Sequence, residues 1–153
     1  MVSRHQVALP IAAPPERIWD LLADVTRMGE WSPECVHCRW LGRSRQATPG
    51  ARFKGTSRKG WHRWSTTSTV VEAVAGRRLV FDVTYFRRPV ARWSYELDAT
   101  APGRTTLIES VEDRRGRPLR VVSPLVTGSR DRAERNAATM STTLERLRAV
   151  AEQ

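Results

Sequence analysis

Lysine is almost missing from this chain: Lys54 and Lys59 are the only two among 26 basic residues, so arginine carries nearly all of the positive charge. There is no long apolar run either. Nothing approaches the ~20 consecutive apolar residues that a membrane span needs. The stretch from Val7 to Pro15 follows Arg4 but is short and holds Pro10, Pro14 and Pro15, so no secretory leader is expected there. Phosphate loops of the Gly-x-Gly-x-x-Gly and Gly-Lys-Ser/Thr types are absent, as is the Gly-x-Ser-x-Gly elbow of serine hydrolases. Ser32 and Ser110 have no evident base, and His5, His37 and His62 stand far apart.

Cysteine is scarce too, with Cys35 and Cys38 forming one Cys-x-x-Cys around His37. A structural zinc site wants four ligands, and no second Cys/His pair supplies them. The segment from Glu34 to Leu41 reads as a strand, where residues three apart face opposite sides. Both thiols are therefore expected to point apart, unable to share a metal or a disulfide. No metal and no cofactor are expected, and a reduced, cytoplasmic setting fits best.

What is present suits a folded domain. The chain has 153 residues, 40% of them hydrophobic, with six tryptophans. That is one domain by length, spanning residues 1–153, and too apolar to stay unstructured. The net charge of +10 raises the question of nucleic acid. The arginines are spread along the chain, with only short clusters such as Arg87-Arg88, Arg114-Arg115 and Arg130/Arg132/Arg135. Dispersed charge of this kind favours solubility and weak attraction, so no specific nucleic-acid partner is expected.

The order of elements is strand, short helices, strands, long helix. Ser3 to Ile11 reads as a strand, and Ala13-Pro14-Pro15-Glu16 as a helix start. Ile18, Trp19, Leu21, Leu22 and Val25 follow at helical spacing, and a second short turn covers Val25 to Trp31. Strands are predicted over 34–41, 51–58, 62–74, 78–85, 90–99 and 104–113, broken at Pro49-Gly50, Gly60, Gly76, Pro89 and Pro102-Gly103. With no helix between them they pair as antiparallel hairpins, which excludes a doubly wound parallel sheet. The fold class is α+β.

Alternation assigns the inner face. Val36, Cys38 and Trp40 share it, as do Trp64, Thr66, Ser68 and Val70; Leu79, Phe81 and Val83; Trp93, Tyr95 and Leu97; and Leu107, Glu109 and Val111. After Pro118 the chain reads as helix, with Val122, Val126, Ser129, Ala133, Ala137, Met140, Leu144, Leu147 and Ala151 on one side. Arg130, Asp131, Arg135, Glu145 and Arg148 take the solvated side. Ser129, Ala133 and Ala137 are small, so that stripe facing a sheet rich in aromatics leaves volume for a ligand.

The residues Pro14-x-Glu16-x-Ile18-Trp19-x-Leu21-Leu22-Ala23-Asp24, Trp31-Ser32-Pro33, Trp40-Leu41-Gly42 and Pro49-Gly50-Ala51-x-Phe53-x-Gly55 form a recurring pattern. It continues through Gly76-Arg77-x-Leu79, Trp93-x-Tyr95-x-Leu97, Leu107-x-Glu109-Ser110 and Thr143-Leu144-Glu145-Arg146-Leu147. In order and spacing this resembles the START-like (SRPBCC) helix-grip superfamily, and more narrowly the bacterial polyketide cyclase/dehydrase and lipid-transport group. The resemblance implies a curved antiparallel seven-stranded sheet around a long C-terminal helix, with two short helices after the first strand. It also implies an internal site for a small lipophilic molecule such as a lipid, polyketide or isoprenoid. The expected lining is Trp31, Val36, Cys38, Phe53, Trp64, Thr66, Ser68, Phe81, Trp93, Tyr95, Glu109, Ser129, Ala133, Ala137 and Met140.

Three functions compete. The first is a carrier or sensor of a lipophilic ligand, monomeric or a weak homodimer. The second is a cyclase, aromatase or dehydratase with Glu109 as acid/base and Tyr95 as hydrogen-bond donor. Glu109 is the one ionisable group that alternation places on an apolar face, where desolvation raises a carboxyl pKa; a structural ion pair with Arg92 or Arg104 is the other expectation for it. Asp82 and Glu112 fall on the other face. The third is an interaction or regulatory protein using the arginine-rich surface.

Overall fold

The computed structural model describes residues 4–33, 35–115 and 132–153; the side chains of Lys59 and of residues 132–136 lie outside that description. The first strand, β1 (Arg4–Ile11), leads into α1 (Pro15–Ala23) and a 3-10 helix at Val25–Glu30. Six strands follow: β2 (Cys35–Trp40), β3 (Arg52–Lys59), β4 (His62–Val74), β5 (Arg78–Tyr85), β6 (Arg88–Ala101) and β7 (Arg104–Asp113). The closing helix is α2 (Arg132–Ala151). The seven strands form one antiparallel sheet in the order β1-β7-β6-β5-β4-β3-β2. Every neighbour is a hairpin except β1 and β7, whose pairing joins the start of the chain to its last strand. This is the α+β architecture that the sequence pattern and its resemblance imply.

Local chemistry sets the element ends. α1 opens at Pro15, whose missing N–H costs nothing in the first turn, and Glu16 sits near the positive helix end. Its apolar face buries Ile18, Leu21 and Leu22. The turn between β5 and β6 falls at Phe86 and Arg87, both at positive φ (49° and 65°). Pro89 was the expected break, but it lies inside β6 opposite Thr84, where a register shift removes the need for its amide in the ladder.

The core lies between the inner sheet face and the two α-helices. Leu107 and Leu147 are fully buried, with Met140 and Leu144 beside them on α2 and Ile11, Ile18, Phe53 and Leu79 around them. Fully burying a side chain of this size contributes about 1.5–3 kcal/mol. Polar ties fix α2 against the N-terminal segment. Arg17 donates from Nε to Ala151 O at 2.6 Å and from Nη2 to Val150 O at 3.0 Å. These carbonyls lie at the end of the helix, where backbone donors run out, although the Gln153 amide also reaches Val150 O at 3.3 Å. The cation adds to their partners and complements the helix dipole. The Ala12 amide donates to Glu152 Oε2 at 2.8 Å, and buried Thr105 Oγ1 donates to Ala13 O at 2.8 Å.

The outer face shows where much of the arginine goes. Arg92 forms a two-pronged pair with Asp82 (2.6 and 2.8 Å), and Arg78 joins Glu96 and Glu72. Arg114 pairs with Glu112 on this face, whereas Arg115 pairs with Asp113, which has the inward parity of Glu109 and Val111. A guanidinium fork matches a carboxylate in a way an ammonium cannot, which gives a physical use for arginine over lysine on this face.

Candidate functional site

The site is built from cross-strand pairs on the inner face. In β6, alternation turns Trp93, Tyr95 and Leu97 inward; in β7 it does the same for Leu107, Glu109 and Val111. The register sets Tyr95 directly opposite Glu109, where side chains on one face stand roughly 5 Å apart at Cβ. Their hydroxyl and carboxyl stand near enough to influence each other's titration. Glu109 is 1% exposed and Tyr95 7%. Among the described residues Glu109 Oε1 has no hydrogen-bond partner, and it is shielded from solvent.

Burial pushes the Glu109 carboxyl up to about 8, and the neighbouring Tyr95 hydroxyl pulls only partly the other way. The Tyr95 hydroxyl is held well above its ordinary value, first by desolvation and then by the neighbouring Glu109 charge. At neutral pH the pair is therefore an uncharged acid beside an uncharged phenol. The ion pair expected between Glu109 and Arg92 or Arg104 does not form. Arg92 follows the opposite parity in β6 and is held by Asp82 on the outer face. Arg104 lies an odd number of residues from Glu109 in β7, and is exposed.

An aromatic row extends from this pair across the sheet. Phe81 stacks on Tyr95 with centroids 6.2 Å apart, Phe53 meets Phe81 edge-on at 5.3 Å, and Trp40 meets Phe53 at 5.7 Å. Ser68 is buried between them, opposite both Phe53 and Val83. Trp64, Thr66 and Trp93 are half-buried. Trp31 is buried at the end of the 3-10 helix with the Arg27 guanidinium 5.4 Å from its ring, so it is a core tryptophan at that corner.

Strand β2 departs from simple alternation. A register shift between Cys35 and His37 makes Val36 an extra residue, and everything before it changes side. Val36, expected inside, is 48% exposed. Cys35 joins Cys38 instead, with their Sγ atoms 3.4 Å apart, and Cys38 Sγ lies 3.8 Å from Met28 Sδ. The expectation that the thiols point apart is thus corrected. It counted residues, whereas facing follows ladder steps, and the bulge removes one step. The sulfurs are near enough to Tyr95 for their charge to act on it.

On α2, Met140 is fully buried as expected, but Ala137 is exposed. Among the described residues, the sheet and short helices cover α2 from Met140 onward through Leu144, Leu147 and Ala151, and leave the preceding turn open. The Ala133 side chain and Ser129 lie outside the described residues, as do Val122, Val126, Arg130, Asp131 and the Arg135 side chain. Residue counting also missed Cys35 and Met28, since nothing in the sequence marks the bulge that gathers them.

The family described as polyketide cyclase/dehydrase and lipid transport matches residues 4–152. A search of curated proteins finds no match. Among solved structures, the chain is similar to the Zhui aromatase/cyclase from Streptomyces sp. R1128, at 17% identity and a TM-score of 0.72, covering 99% of this chain and 94% of that one. It is similar to the di-domain aromatase/cyclase StfQ from the steffimycin biosynthetic pathway, at 14% identity and a TM-score of 0.76, covering 99% of this chain and 51% of that one. Ginseng major latex-like protein 151 from Panax ginseng aligns at 9% identity with a TM-score of 0.75, covering 99% of both chains. Identities this low carry the fold alone, and that fold is the seven-stranded helix-grip arrangement found here. With a family match across nearly its whole length, the chain belongs to the polyketide cyclase/dehydrase and lipid transport family.

Proposed function

We propose that the inner face around Tyr95 and Glu109 binds a small lipophilic molecule, in a carrier or sensor role, and grips one polar group of that molecule. The observation carrying this reading is the buried Glu109 Oε1 without a partner among the described residues. A buried polar atom left unpaired costs about 1–3 kcal/mol, a cost that a ligand's hydroxyl or carbonyl would offset. The apolar row of Phe53, Phe81 and Tyr95 suits a flat or branched hydrocarbon body, and the neutral acid suits an uncharged polar end. Family membership supports a ligand-binding or cyclase-type role of this kind.

The first experiment is to purify the protein from its host, denature it and run mass spectrometry on the released small molecules. One apolar molecule per chain, bearing a single polar end, is the expected result. An empty protein that also fails to take up any environment-sensitive apolar dye would refute binding. Glu109→Leu should abolish selectivity for the polar end while leaving dye uptake intact.

One observation favours a second reading, a cyclase or dehydratase. A carboxyl titrating near 8 is poised to give or take a proton at neutral pH, with Tyr95 as the neutral donor beside it. Turnover of a released ligand that is lost in Glu109→Gln would establish it; unchanged turnover would remove Glu109 from any chemistry.

A further inference from the structure

The ligand reading leaves three sulfur atoms unused. Cys35 and Cys38 Sγ are 3.4 Å apart and Met28 Sδ is 3.8 Å from Cys38 Sγ. Cys38 is 2% exposed, and Cys35 is half-buried. We propose that Cys35, Cys38 and Met28 form a binding site for a soft monovalent metal ion, copper(I) being the biological ion of that class.

The backbone explains why the three meet. Cys35 pairs with Ser57 and Cys38 with Gly55, so the bulge leaves the thiols two ladder steps apart on one face, or about 6.6 Å between their Cα atoms. Met28 arrives from the 3-10 helix lying over β2. That helix sits close because residue 29 is glycine: a Cβ there would stand 3.3 Å from Val36 O and 3.4 Å from Cys35 O. Gly55 likewise leaves the space beside Cys38 open, its absent Cβ falling 3.4 Å from the sulfur.

The donor set then selects the ion. Thiolates and a thioether are soft ligands, matched to copper(I). Among the described residues no three His, Cys, Asp or Glu side chains gather, so the four hard or borderline ligands of a structural zinc site are not assembled here. A three-coordinate ion with metal–sulfur bonds near ~2.3 Å holds its sulfurs about 4 Å apart, close to the spacing present. A disulfide fits less well. It requires the sulfurs to close by roughly 1.4 Å from their present spacing. On binding, each thiol releases its proton to solvent as a copper–sulfur bond forms, and no electron is transferred.

The test uses the reduced full-length chain under anaerobic conditions, titrated with copper(I) against bathocuproine disulfonate as competing chelator. One copper per chain should be retained, with only sulfur neighbours in its X-ray absorption spectrum. Cys35→Ser and Cys38→Ser should each weaken retention by about 100-fold, and Met28→Leu, close in volume, by about tenfold. Circular dichroism and thermal melting of each variant separate lost ligation from lost folding. If the chelator keeps all the copper, or if a folded Met28→Leu variant holds copper as tightly as the parent, the site is overturned. Ready closure of a Cys35–Cys38 disulfide in glutathione buffer, with no copper retained, overturns it as well.

Discussion

Replacing Glu109 by glutamine should change how stability depends on pH, more than it changes stability at any one pH. The unfolded carboxyl titrates near 4.5, whereas the folded one is pushed up to about 8 by burial. Between those values the folded chain holds a proton that the unfolded chain has lost. The stabilisation from keeping the acid neutral is therefore fully present below about 4.5 and is lost as pH rises toward 8. The slope is about 1.4 kcal/mol per pH unit, a total of roughly 4–5 kcal/mol, since the group is almost wholly buried. Glutamine has the same shape and does not titrate. Any fixed cost of placing its amide against Tyr95 is the same at every pH and cancels when the two pH profiles are compared. Urea unfolding at pH 5, 7 and 9 should show the gap between Glu109→Gln and the parent shifting in favour of the variant by about 4 kcal/mol. In thermal melts this corresponds to roughly 10 °C for a chain of this length. Parallel pH profiles would show that Glu109 is solvated or paired in solution, and would remove the basis for a neutral acid at the site.

Three further outcomes follow from other contacts. Asp82→Asn breaks the two-pronged bridge to Arg92, which is about one-third exposed, so it should cost only ~0.5–1 kcal/mol at pH 7. Arg92 holds the Asp82 carboxyl below its usual range, so that contribution is present above the unfolded aspartate value and fades as pH falls through the folded one; urea midpoints of parent and variant should converge in acid. Arg87→Gly relieves a non-glycine residue held at a φ of 65° and should raise stability by about 0.5–1 kcal/mol, read as a higher melting temperature. Thr105→Val leaves Ala13 O without its buried donor and should lower urea stability by about 1–3 kcal/mol, whereas Thr105→Ser should recover most of the loss.

Much of the fold is legible before any coordinates. Period-two runs such as Trp93-x-Tyr95-x-Leu97 can bury one face only as strands, and Met140, Leu144, Leu147 and Ala151 can share a side only on a helix. The order of these segments, with no helix among the six later strands, forces an antiparallel sheet. Glu109 is recognisable from the same alternation, as a carboxyl that must point where its neighbours Leu107 and Val111 point. Its partner is not recognisable. An arginine is the plausible choice for a lone acid, and only the register of β6 against β7 puts Tyr95 opposite it while Arg92 turns to Asp82.

Where counting failed, the cause was a break in periodicity. One extra residue in β2 exchanges the faces of Cys35 and Val36, and no propensity marks where a strand will bulge. Ala137 fits the helical stripe, but whether a position on a stripe is covered depends on how far the sheet reaches, which is not a property of the helix. The sequence by itself determined the elements, their order and which residues tend inward, because these follow from local periodicity and solvation. The tertiary structure decided which side chains meet: Tyr95 with Glu109, and Cys35 with Cys38 and Met28. Those contacts are set by strand register, one bulge and a close helix approach, each fixed by packing between segments far apart in the chain.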